Sequence, residues 1–328
     1  MEFGLQFMGK NLQELRDIAQ ASEQLGYDLL LLPDHVVYEQ LGGAYDPHQP
    51  SWDQMISLAL IFEATKRIRA GHLVLCNLFR HPVMTAQSLV TLDHLSGGRL
   101  IAGLGSGWTE TEFKMTGIPF PAIGPRLKML DEALTVIRSL WTNERTTFEG
   151  EFYKLKDAIL WPKPVQKPHP PILLGGGGRG LLRITAKHAT TINLIAEAGK
   201  AGRIAIENVR KLTDEAVKEK AGFVREEAAK HGRKPDSIQV SNMIAVTMLT
   251  ESARETDSTA TMVAQGMGFT AEQLKASPFT LIGTPEQCAA ELKRRARDWS
   301  MSQFIFAGTL DLKMMERLAK EVIPRVRQ

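Results

Sequence analysis

The sequence has few of the residues that would place it in several common classes of protein. Its 328 residues include only two cysteines, Cys76 and Cys288, which are far apart and lack a metal-ligand spacing. A disulfide scaffold is therefore excluded, and a reducing compartment, by default the cytoplasm, is expected. No apolar run reaches membrane-spanning length, and the first residues do not resemble a secretory signal, so we expect neither a membrane span nor export.

An excess of charge of one sign is also missing. The formal net charge is only +3, and basic residues alternate with acidic ones, so no nucleic-acid surface is expected. The densest charged run, residues 211–234, carries both signs at helical spacing and is interpreted as a solvated helix face without a functional role. The histidines show no metal-binding spacing, so no metal site is predicted.

Short apolar runs alternate with amphipathic stretches along nearly the whole chain. This alternation is typical of repeated strand–helix units on a parallel sheet. The predicted strands are residues 3–7, 27–33, 68–75, 100–104, 171–174, 191–195, 238–248 and 303–306. The predicted helices are residues 12–25, 52–64, 82–95, 126–141, 181–188, 204–231, 285–299 and 312–326. Eight such units favour an α/β fold, a closed (β/α)8 TIM barrel in one domain over residues 1–328, with an open doubly wound sheet as the alternative.

Two stretches interrupt the alternation. Residues 146–170 contain a glycine turn between apolar segments and several prolines, which predicts a β-hairpin followed by a proline-rich connector. Residues 251–282 contain scattered glycine and proline and are predicted to be an irregular insertion after the seventh strand. Both insertions are expected beside or over the mouth of the barrel.

In a parallel barrel the reacting groups lie at the C-terminal ends of the strands. The most suggestive pair is Asp34-His35 after the second strand, because a histidine there can move a proton near neutral pH while its neighbour binds a cofactor or orients a loop. An Asp that caps the loop and a His satisfied by backbone are the alternative. The other strand-end candidates are Gln6, Cys76, Asn77, Gly105, Ser106, Gly107, Trp108, Asn193 and Gly308.

A run of four glycines follows the fifth strand and precedes a helix that begins with Arg179. The run is Gly175, Gly176, Gly177 and Gly178. Glycines let backbone amides approach an anion, and the helix N-terminus adds positive potential, so a phosphate is the expected ligand and a flexible turn the alternative. The acidic residue that a dinucleotide fingerprint has about 20 residues later is missing in the right context, and Glu197 is the nearest weak candidate. A mononucleotide-like cofactor therefore fits better than a dinucleotide.

Polar and aromatic side chains follow the fourth strand. Trp108 and Thr111 are placed to flank a planar ring, and Glu112 lies one residue further along. Arg126, at the start of its helix, is interpreted as an ion-pair partner only. Gly105-Ser106-Gly107 lacks the spacing of a nucleophile elbow, so a serine hydrolase is not supported.

An ordered set of motifs resembles the luciferase-like monooxygenase superfamily. The motifs are Gly26-Tyr27-Asp28, Pro33-Asp34-His35, Phe79-Arg80-His81-Pro82, Asp93-His94-Leu95-Ser96-Gly97-Gly98-Arg99-Leu100, Gly103-Leu104-Gly105-Ser106-Gly107-Trp108, Leu140-Trp141, the connector from Pro162 to Pro171, and Gly283-Thr284-Pro285-Glu286. Each motif is weak by itself, but they occur in order over about two thirds of the chain.

The resemblance implies a barrel with insertions, often dimeric, that acts on a small-molecule substrate. It implies either the deazaflavin coenzyme F-420 for hydride transfer or reduced FMN for oxygen chemistry, with a separate reductase supplying reduced cofactor. The Ser-Gly-Gly-Arg-Leu block, the connector and the four glycines resemble the deazaflavin-dependent branch most, so coenzyme F-420 is favoured. A two-component FMN monooxygenase and a non-catalytic flavin-binding protein are the alternatives.

The resemblance also assigns residues. Asp34 and His35 would lie at the ring, with His35 as the group that handles the proton, and a bulge with a cis peptide near Leu73-Val74 would support the back of the ring. The phosphate would lie on glycines 176–178. The other predicted cofactor contacts are Asn77, Gly107, Thr111, Gly175 and Arg179.

The chain departs from the family pattern at two places. Trp108 stands where some family dehydrogenases have an acidic Glu, so that role is unfilled or passes to Glu110 or Glu112. Ala189-Thr190 stands where many relatives have Ala-Asp. The identity of the substrate therefore cannot be transferred through the resemblance.

Overall fold

A computed structural model describes residues 1–38, 45–198, 204–308 and 310–328. Eight parallel strands form a closed barrel, labelled β1 to β8 in chain order. Their bounds are Glu2–Gln6, Leu29–Leu32, Arg69–His72, Leu100–Gly105, Ile172–Gly175, Thr191–Leu194, Gln239–Ile244 and Gln303–Phe306. The predicted (β/α)8 TIM barrel is confirmed, and the open sheet is excluded because β3 pairs with β4 and closes the ring.

The barrel closes where β3 and β4 approach each other closely. Ala70 is paired with Leu100 and Gly71 with Ile101. A Cβ atom on Gly71 would collide with the backbone of Ile101, and one on Gly103 would collide with the carbonyl of His72. Glycine is therefore required at both positions because backbone atoms occupy the space of a side chain.

Helices surround the barrel and bury its outer face. The α-helices are Leu12–Gln24, Gln54–Ala64, Pro82–Ser96, Glu110–Thr116, Ile123–Thr142, Arg179–His188, Ile206–Arg210, Asp214–Lys230, Ala253–Met267, Ala271–Ala276, Pro285–Asp298, Leu312–Arg317 and Ile323–Arg327. A 3-10 turn, Pro235–Ser237, and a π-helical segment, Leu318–Val322, complete the helical structure. None of the helices in the described ranges is long and apolar enough to cross a membrane.

Alternation along the strands divides the core into two layers. In β2, Leu30 and Leu32 face the helices, while Leu29 and Leu31 face the barrel interior. The interior layer is completed by Leu73, Ile101, Leu173 and Ile305. Strands that are buried on both faces consist of nearly continuous apolar residues, which is why the apolar runs located them in the sequence.

Two of the family motifs are held together at the N-terminal end of the barrel. Asp93 accepts hydrogen bonds from the backbone N–H and the side-chain amide of Gln166, the latter at 2.7 Å. Arg99 donates to the carbonyls of Phe62 and Thr65 at the end of the second helix. These contacts lie opposite the mouth and stabilise the fold, so the motifs that reveal the family here do not themselves form a binding site.

The structure corrects the predicted bounds of the third and seventh strands. The third predicted strand breaks at Leu73-Val74, where the peptide bond is cis as the resemblance implied, and continues as Leu75–Cys76. The seventh divides into β7 and a second strand, Val246–Leu249, which pairs in parallel with Thr280–Gly283 outside the barrel. The predicted strand 238–248 has no glycine or proline at which it would be divided, so its sequence did not reveal that its second half pairs outside the barrel.

The prediction of an irregular insertion over residues 251–282 was wrong. This stretch contains the helices Ala253–Met267 and Ala271–Ala276 and the strand Thr280–Gly283. Ser252 and Thr270 cap the two helices through their hydroxyl groups, and Gly268 ends the first in a left-handed conformation. Gly268 is therefore a helix end and Gly266 lies within the last turn of the same helix, so neither glycine was a sign of irregular chain.

The predicted hairpin is present in the first insertion. Strands Thr146–Glu149 and Lys154–Ala158 pair in antiparallel fashion. Glu132, on the helix Ile123–Thr142, accepts hydrogen bonds from the backbone N–H groups of Glu151, Phe152 and Tyr153 at 2.8 to 3.1 Å. One buried carboxylate face thus fixes the turn of the hairpin to the helix.

Asp131 provides a test of the packing between two outer helices. Its carboxylate lies 2.6 Å from His188 Nε2 and 3.0 Å from Lys187 Nζ, and these bonds, that to His188 first, lower the pKa of Asp131 to about 2. Because the folded-state pKa lies below the ordinary value of 3.8, the stabilisation is present above that value and is lost as the pH falls toward 2. We expect Asp131→Asn to lower the free energy of unfolding by about 1 kcal/mol near neutral pH, allowing for solvent screening of a partly exposed group.

Chemical denaturation between about pH 2 and pH 7 measures this difference. The gap between the wild type and Asp131→Asn should close as the pH falls below about 4. Asp17→Asn is the control, because Asp17 is exposed and bonds only to the side chain of Gln13 among the contacts described. A gap that persists unchanged to pH 2 would rule out ionisation of Asp131 as its origin.

Candidate active site

A cavity of about 690 Å³ opens at the C-terminal ends of the strands. Its volume lies within the ordinary range for sites that bind cofactors and drug-sized molecules. The strand ends that line it contribute Gln6, Asp34, His35, Leu73, Val74, Cys76, Gly105, Gly107, Trp108, Gly175, Gly176, Gly177, Gly178, Ile195 and Met243. Most of the predicted site residues are thus brought together at one mouth.

The floor of the cavity is built from the cis bulge after β3. Val74 lies between the ends of two neighbouring strands, since a Cβ atom on Gly105 would be 2.5 Å from Val74 Cγ2 and one on Gly175 would be 3.2 Å from Val74 Cγ1. The side-chain amide of Gln6 donates to the carbonyl of Leu73 at 2.5 Å and fixes the bulge from the first strand. Glycines at two strand ends therefore make room for one apolar side chain that presents a flat surface.

The four glycines form a turn between β5 and the helix Arg179–His188. A Cβ atom on Gly177 would lie 2.7 Å from the carbonyl oxygen of Ile195, so the neighbouring strand leaves no space for a side chain. Gly176 has φ of +147°, a conformation that favours glycine. This close-packed turn at a helix N-terminus suits an anion bound by backbone N–H groups.

Arg126 lies in the same cavity, and no described residue forms a direct salt bridge with it, although the carboxylate of Glu110 is near enough to attract its charge. Its side chain is only 6% exposed, and both Nε and Nη1 lack a hydrogen-bond partner in the part of the chain that the structure covers. The guanidinium lies 3.8 Å from the centre of the Phe120 ring. Burial lowers the pKa of Arg126 and Glu110 partly offsets this, but arginine remains a cation in proteins, so a buried guanidinium with two unsatisfied nitrogens suits an anionic ligand.

The structure therefore corrects the interpretation of Arg126 as an ion-pair partner. The sequence contained a signal for its role, because the buried positions of this helix recur as Arg126, Leu130, Ala133, Leu134 and Ile137. Arg126 thus lies on the buried stripe of the helix. A charged residue on such a stripe is uncommon without a partner or a ligand.

Asp34 is fully committed to contacts within the protein. Its Oδ2 accepts from the backbone N–H of Cys76 at 2.9 Å and from Arg80 at 2.8 Å, and its Oδ1 accepts from the same guanidinium at 3.3 Å. Arg80 also reaches Asp53, which caps the second helix. Asp34 therefore ties the second and third strand ends together and orients the loop that carries His35.

His35 is paired with Glu112 from the segment after β4. His35 Nδ1 lies 3.1 Å from Oε1 of Glu112, and Oε2 accepts from the backbone N–H of Val36 at 3.0 Å. Because an ionised carboxylate can only accept, Nδ1 carries a proton, and in the neutral imidazole Nε2 is then the acceptor. Glu112 is 2% exposed, so the pair is shielded from water.

Aromatic rings surround His35 and complete this part of the cavity. The rings of Tyr38 and Trp108 contact His35 edge-on, with centroid distances of 5.5 and 5.6 Å. Burial raises the pKa of the nearby Cys76 thiol to about 12, so this cysteine is not a nucleophile at neutral pH.

Three predicted contact residues lie outside the lining of the cavity. The side-chain amide of Asn77 donates to the hydroxyl of Tyr153 at 3.3 Å, behind the cis bulge. Thr111 lies within the helix Glu110–Thr116 and is not in the lining. Arg179 points outward and pairs with Glu219 at 2.5 Å, so only its backbone can contribute to the glycine turn.

The described ranges contain no cluster of three His, Cys, Asp or Glu side chains able to hold a metal ion.

A model of the luciferase-like monooxygenase family matches residues 1–303. The chain belongs to the luciferase-like monooxygenase family. The resemblance inferred from the ordered motifs is confirmed, and the protein is a member of a family of enzymes.

Known members with similar sequences act with the deazaflavin coenzyme. An F420-dependent glucose-6-phosphate dehydrogenase from Microbacterium testaceum (strain StLB037) is 32% identical over 215 residues, which are 65% of this chain and 61% of that protein. This chain therefore spans about three fifths of the length of the curated relatives that it matches first.

Solved structures of the luciferase-like fold superpose on nearly the whole chain. An F420-dependent secondary alcohol dehydrogenase in complex with an F420-acetone adduct gives a TM-score of 0.79 at 19% identity and covers 100% of this chain and 99% of its own. A long-chain alkane monooxygenase gives 0.78 at 17% identity and covers 99% and 90%. At these identities the likeness concerns the fold alone.

Glu112→Gln tests the tautomer of His35. Glutamine offers one side-chain acceptor group where glutamate offers two, so the N–H of Val36 and Nδ1–H of His35 cannot both be satisfied. We expect a mixed or inverted tautomer, measured as a change of the His35 Nδ1 and Nε2 shifts in long-range ¹H–¹⁵N spectra.

Glu110→Gln is the matched control, because Glu110 also lines the cavity but pairs with Lys114 at 3.2 Å. Its His35 spectrum should equal that of the wild type. An unchanged spectrum in Glu112→Gln would contradict the hydrogen bond from Nδ1.

Proposed function

We propose that the protein is a coenzyme F-420-dependent oxidoreductase that transfers a hydride to or from a small organic substrate. The observation that carries the proposal is one cavity lined both by the glycine turn, residues 175–178, with Arg126 and by His35 paired with Glu112. The first part fits a cofactor phosphate and the second fits an alcohol or carbonyl. The F420-dependent relatives support this choice of cofactor.

The residues present fit a cofactor with a flat ring and a phosphate. The cis bulge at Leu73-Val74 would support one face of the ring, and the amides of Gly177 and Gly178 with Arg126 would hold the phosphate, since the N–H of Gly176 donates to the carbonyl of Asn193. When bound, the deazaflavin supplies the hydride donor or acceptor. The chain itself then has to orient the substrate, exclude water and move one proton.

His35 performs the proton transfer in this proposal. Nε2 takes the proton of a substrate hydroxyl when the substrate is oxidised and returns it to the carbonyl oxygen when the substrate is reduced. Glu112 holds the ring in the tautomer that leaves Nε2 unprotonated, and the loop anchored by Asp34 and Arg80 fixes the position of the ring. Asp34 thus acts through His35 and not on the substrate.

The alternative is a two-component monooxygenase that uses reduced FMN. The same glycine turn and Arg126 would accept the terminal phosphate of FMN, and the fold is shared with a long-chain alkane monooxygenase. Parallel fluorescence titrations with coenzyme F-420 and reduced FMN distinguish the two cofactors. Tight binding of reduced FMN with oxygen uptake, and no binding of coenzyme F-420, would select the alternative.

The proposal extends to partners and location. A separate reductase would supply reduced cofactor, and the enzyme would act as a homodimer in the cytoplasm. The family resemblance and the two buried, unpaired cysteines support this extension.

Arg126→Met is expected to weaken binding of the phosphate-bearing cofactor. Loss of one charge-assisted contact at a buried site should raise Kd by about 10- to 100-fold. The dephosphorylated compounds are the matched ligands, namely riboflavin for FMN and 8-hydroxy-5-deazariboflavin for coenzyme F-420. Their Kd values should be unchanged, and an equal loss for both classes of ligand would assign Arg126 to packing.

His35→Ala is expected to leave cofactor affinity nearly unchanged and to slow turnover. Removal of a general acid–base group should lower kcat by about 10²- to 10⁴-fold. The change is measured by cofactor absorbance on a substrate found by screening small alcohols, aldehydes and sugar phosphates. Full activity of His35→Ala would remove the proposed role of His35.

A further inference from the structure

Lys220 and Glu197 form an ion pair directly beside the glycine turn. Lys220 Nζ donates to the carbonyl of Gly177 at 2.6 Å and lies 2.5 Å from Glu197 Oε1. Lys220 comes from the middle of the helix Asp214–Lys230, where sequence analysis assigned only a solvated face, yet its side chain is 17% exposed. This lysine is therefore a contact between an outer helix and the mouth of the barrel.

Glu197 places a negative charge next to the proposed anion site. It lines the cavity, and its Oε2 would be 3.8 Å from a Cβ atom on Gly178. A phosphate on the amides of this turn would be repelled by the carboxylate; the side chain of Glu197 is 52% exposed, so solvent screens part of this repulsion, but the distance of a few ångströms leaves it appreciable. Lys220 offsets the carboxylate, because its ammonium group is 3.6 Å from the corresponding Cβ position on Gly177.

We propose that Lys220 is a positioning residue that makes the glycine turn able to bind an anion, by holding the carbonyl of Gly177 and by compensating the charge of Glu197. The inference rests on the proposed function, because the anion is the phosphate of the cofactor. Arg126, buried and unpaired in the same cavity, is the independent sign that an anion belongs there. Glu197 makes the affinity of the site for that anion depend on Lys220.

An ordinary surface ion pair would behave differently. Exposed pairs contribute little to stability, and their removal does not change the affinity for a ligand elsewhere. Charge compensation instead predicts that the two residues are coupled in anion binding, so that loss of the lysine is harmful only while the carboxylate remains.

The test is a double-mutant cycle with Lys220→Met, Glu197→Gln and the double variant, read as Kd in fluorescence titrations. Lys220→Met should raise the Kd for coenzyme F-420, or for FMN, by about tenfold. The double variant should return to within about threefold of the wild type, since neither charge is then present. Riboflavin and 8-hydroxy-5-deazariboflavin, which lack the phosphate, should bind all variants equally.

Lys218→Met is the matched control on the same helix, because Lys218 pairs with Asp214 at 3.3 Å and is not in the cavity lining. Its Kd values should equal those of the wild type. Lys220→Arg keeps the charge and should retain most of the affinity, and thermal unfolding of each variant establishes that it is folded.

Inorganic phosphate, titrated by ³¹P NMR, separates the inference from the proposed function. If phosphate follows the cycle but neither ring compound binds, the inference holds and the proposed function fails. If the double variant binds as weakly as Lys220→Met, or if Lys220→Met binds as the wild type does, charge compensation is overturned. If the wild type binds neither phosphate nor cofactor, both are overturned.

Discussion

Closure of the barrel between β3 and β4 is the constraint on which the rest of the site depends. Gly71 and Gly103 allow the two backbones to approach, and the ring of parallel strands then directs eight strand ends to one mouth. The same region carries the cis bulge, whose Val74 lies between the strand-end glycines Gly105 and Gly175. The strand ends, the floor of the cavity and the anion turn are thus consequences of one closely packed seam.

The sequence predicted the architecture well where burial on both faces of the strands gives unbroken apolar runs. The prediction failed where one run of strand-forming residues divides into two strands with different partners. These strands are β7, which pairs within the barrel, and Val246–Leu249, which pairs with Thr280–Gly283 outside it. It also failed at residues 251–282, where serine and threonine caps were outweighed by glycines interpreted as loop signals. Local composition locates elements, but strand pairing depends on neighbours distant in the sequence, whereas the two helix caps were local signals that the prediction overlooked.

The candidate site was predictable to the extent that topology alone positions it. Asp34, His35 and the four glycines follow strands, so a barrel necessarily brings them to the mouth. Arg126 and Lys220 belong to outer helices. Their contact with the cavity or the glycine turn depends on how far each long side chain extends from its helix toward the barrel mouth. Arg126 could have been identified from the sequence, because it falls on the buried stripe of its helix. Lys220 could not, because it stands among residues of both charges that are typical of a solvated helix face.

Arg179 illustrates the opposite error. Arg179 follows the glycine turn directly, and its charge therefore predicted a contact with the phosphate. The side chain of the first residue of a helix can, however, point away from the N-terminal end of the helix axis, where an anion would bind. Here the guanidinium pairs with Glu219 and lies over the Phe223 ring at 5.0 Å. Proximity in sequence to a glycine turn is therefore a weaker guide to a ligand contact than a buried cation without a direct ion pair, such as Arg126.

The pairing of His35 with Glu112 also changes the meaning of the Asp-His motif. Asp34 is saturated by Arg80 and the N–H of Cys76, so it cannot orient the imidazole of its neighbour. That task falls to Glu112, which lies four residues after Trp108, the residue that replaces an acidic Glu of some relatives. Both oxygens of Glu112 are engaged, one by His35 and the other by the backbone N–H of Val36. These two contacts explain why a buried glutamate lies here, without assigning it a separate role as an acid. In the proposed mechanism, this part of the chain therefore provides one proton-transfer group, His35, whose tautomer is set by Glu112.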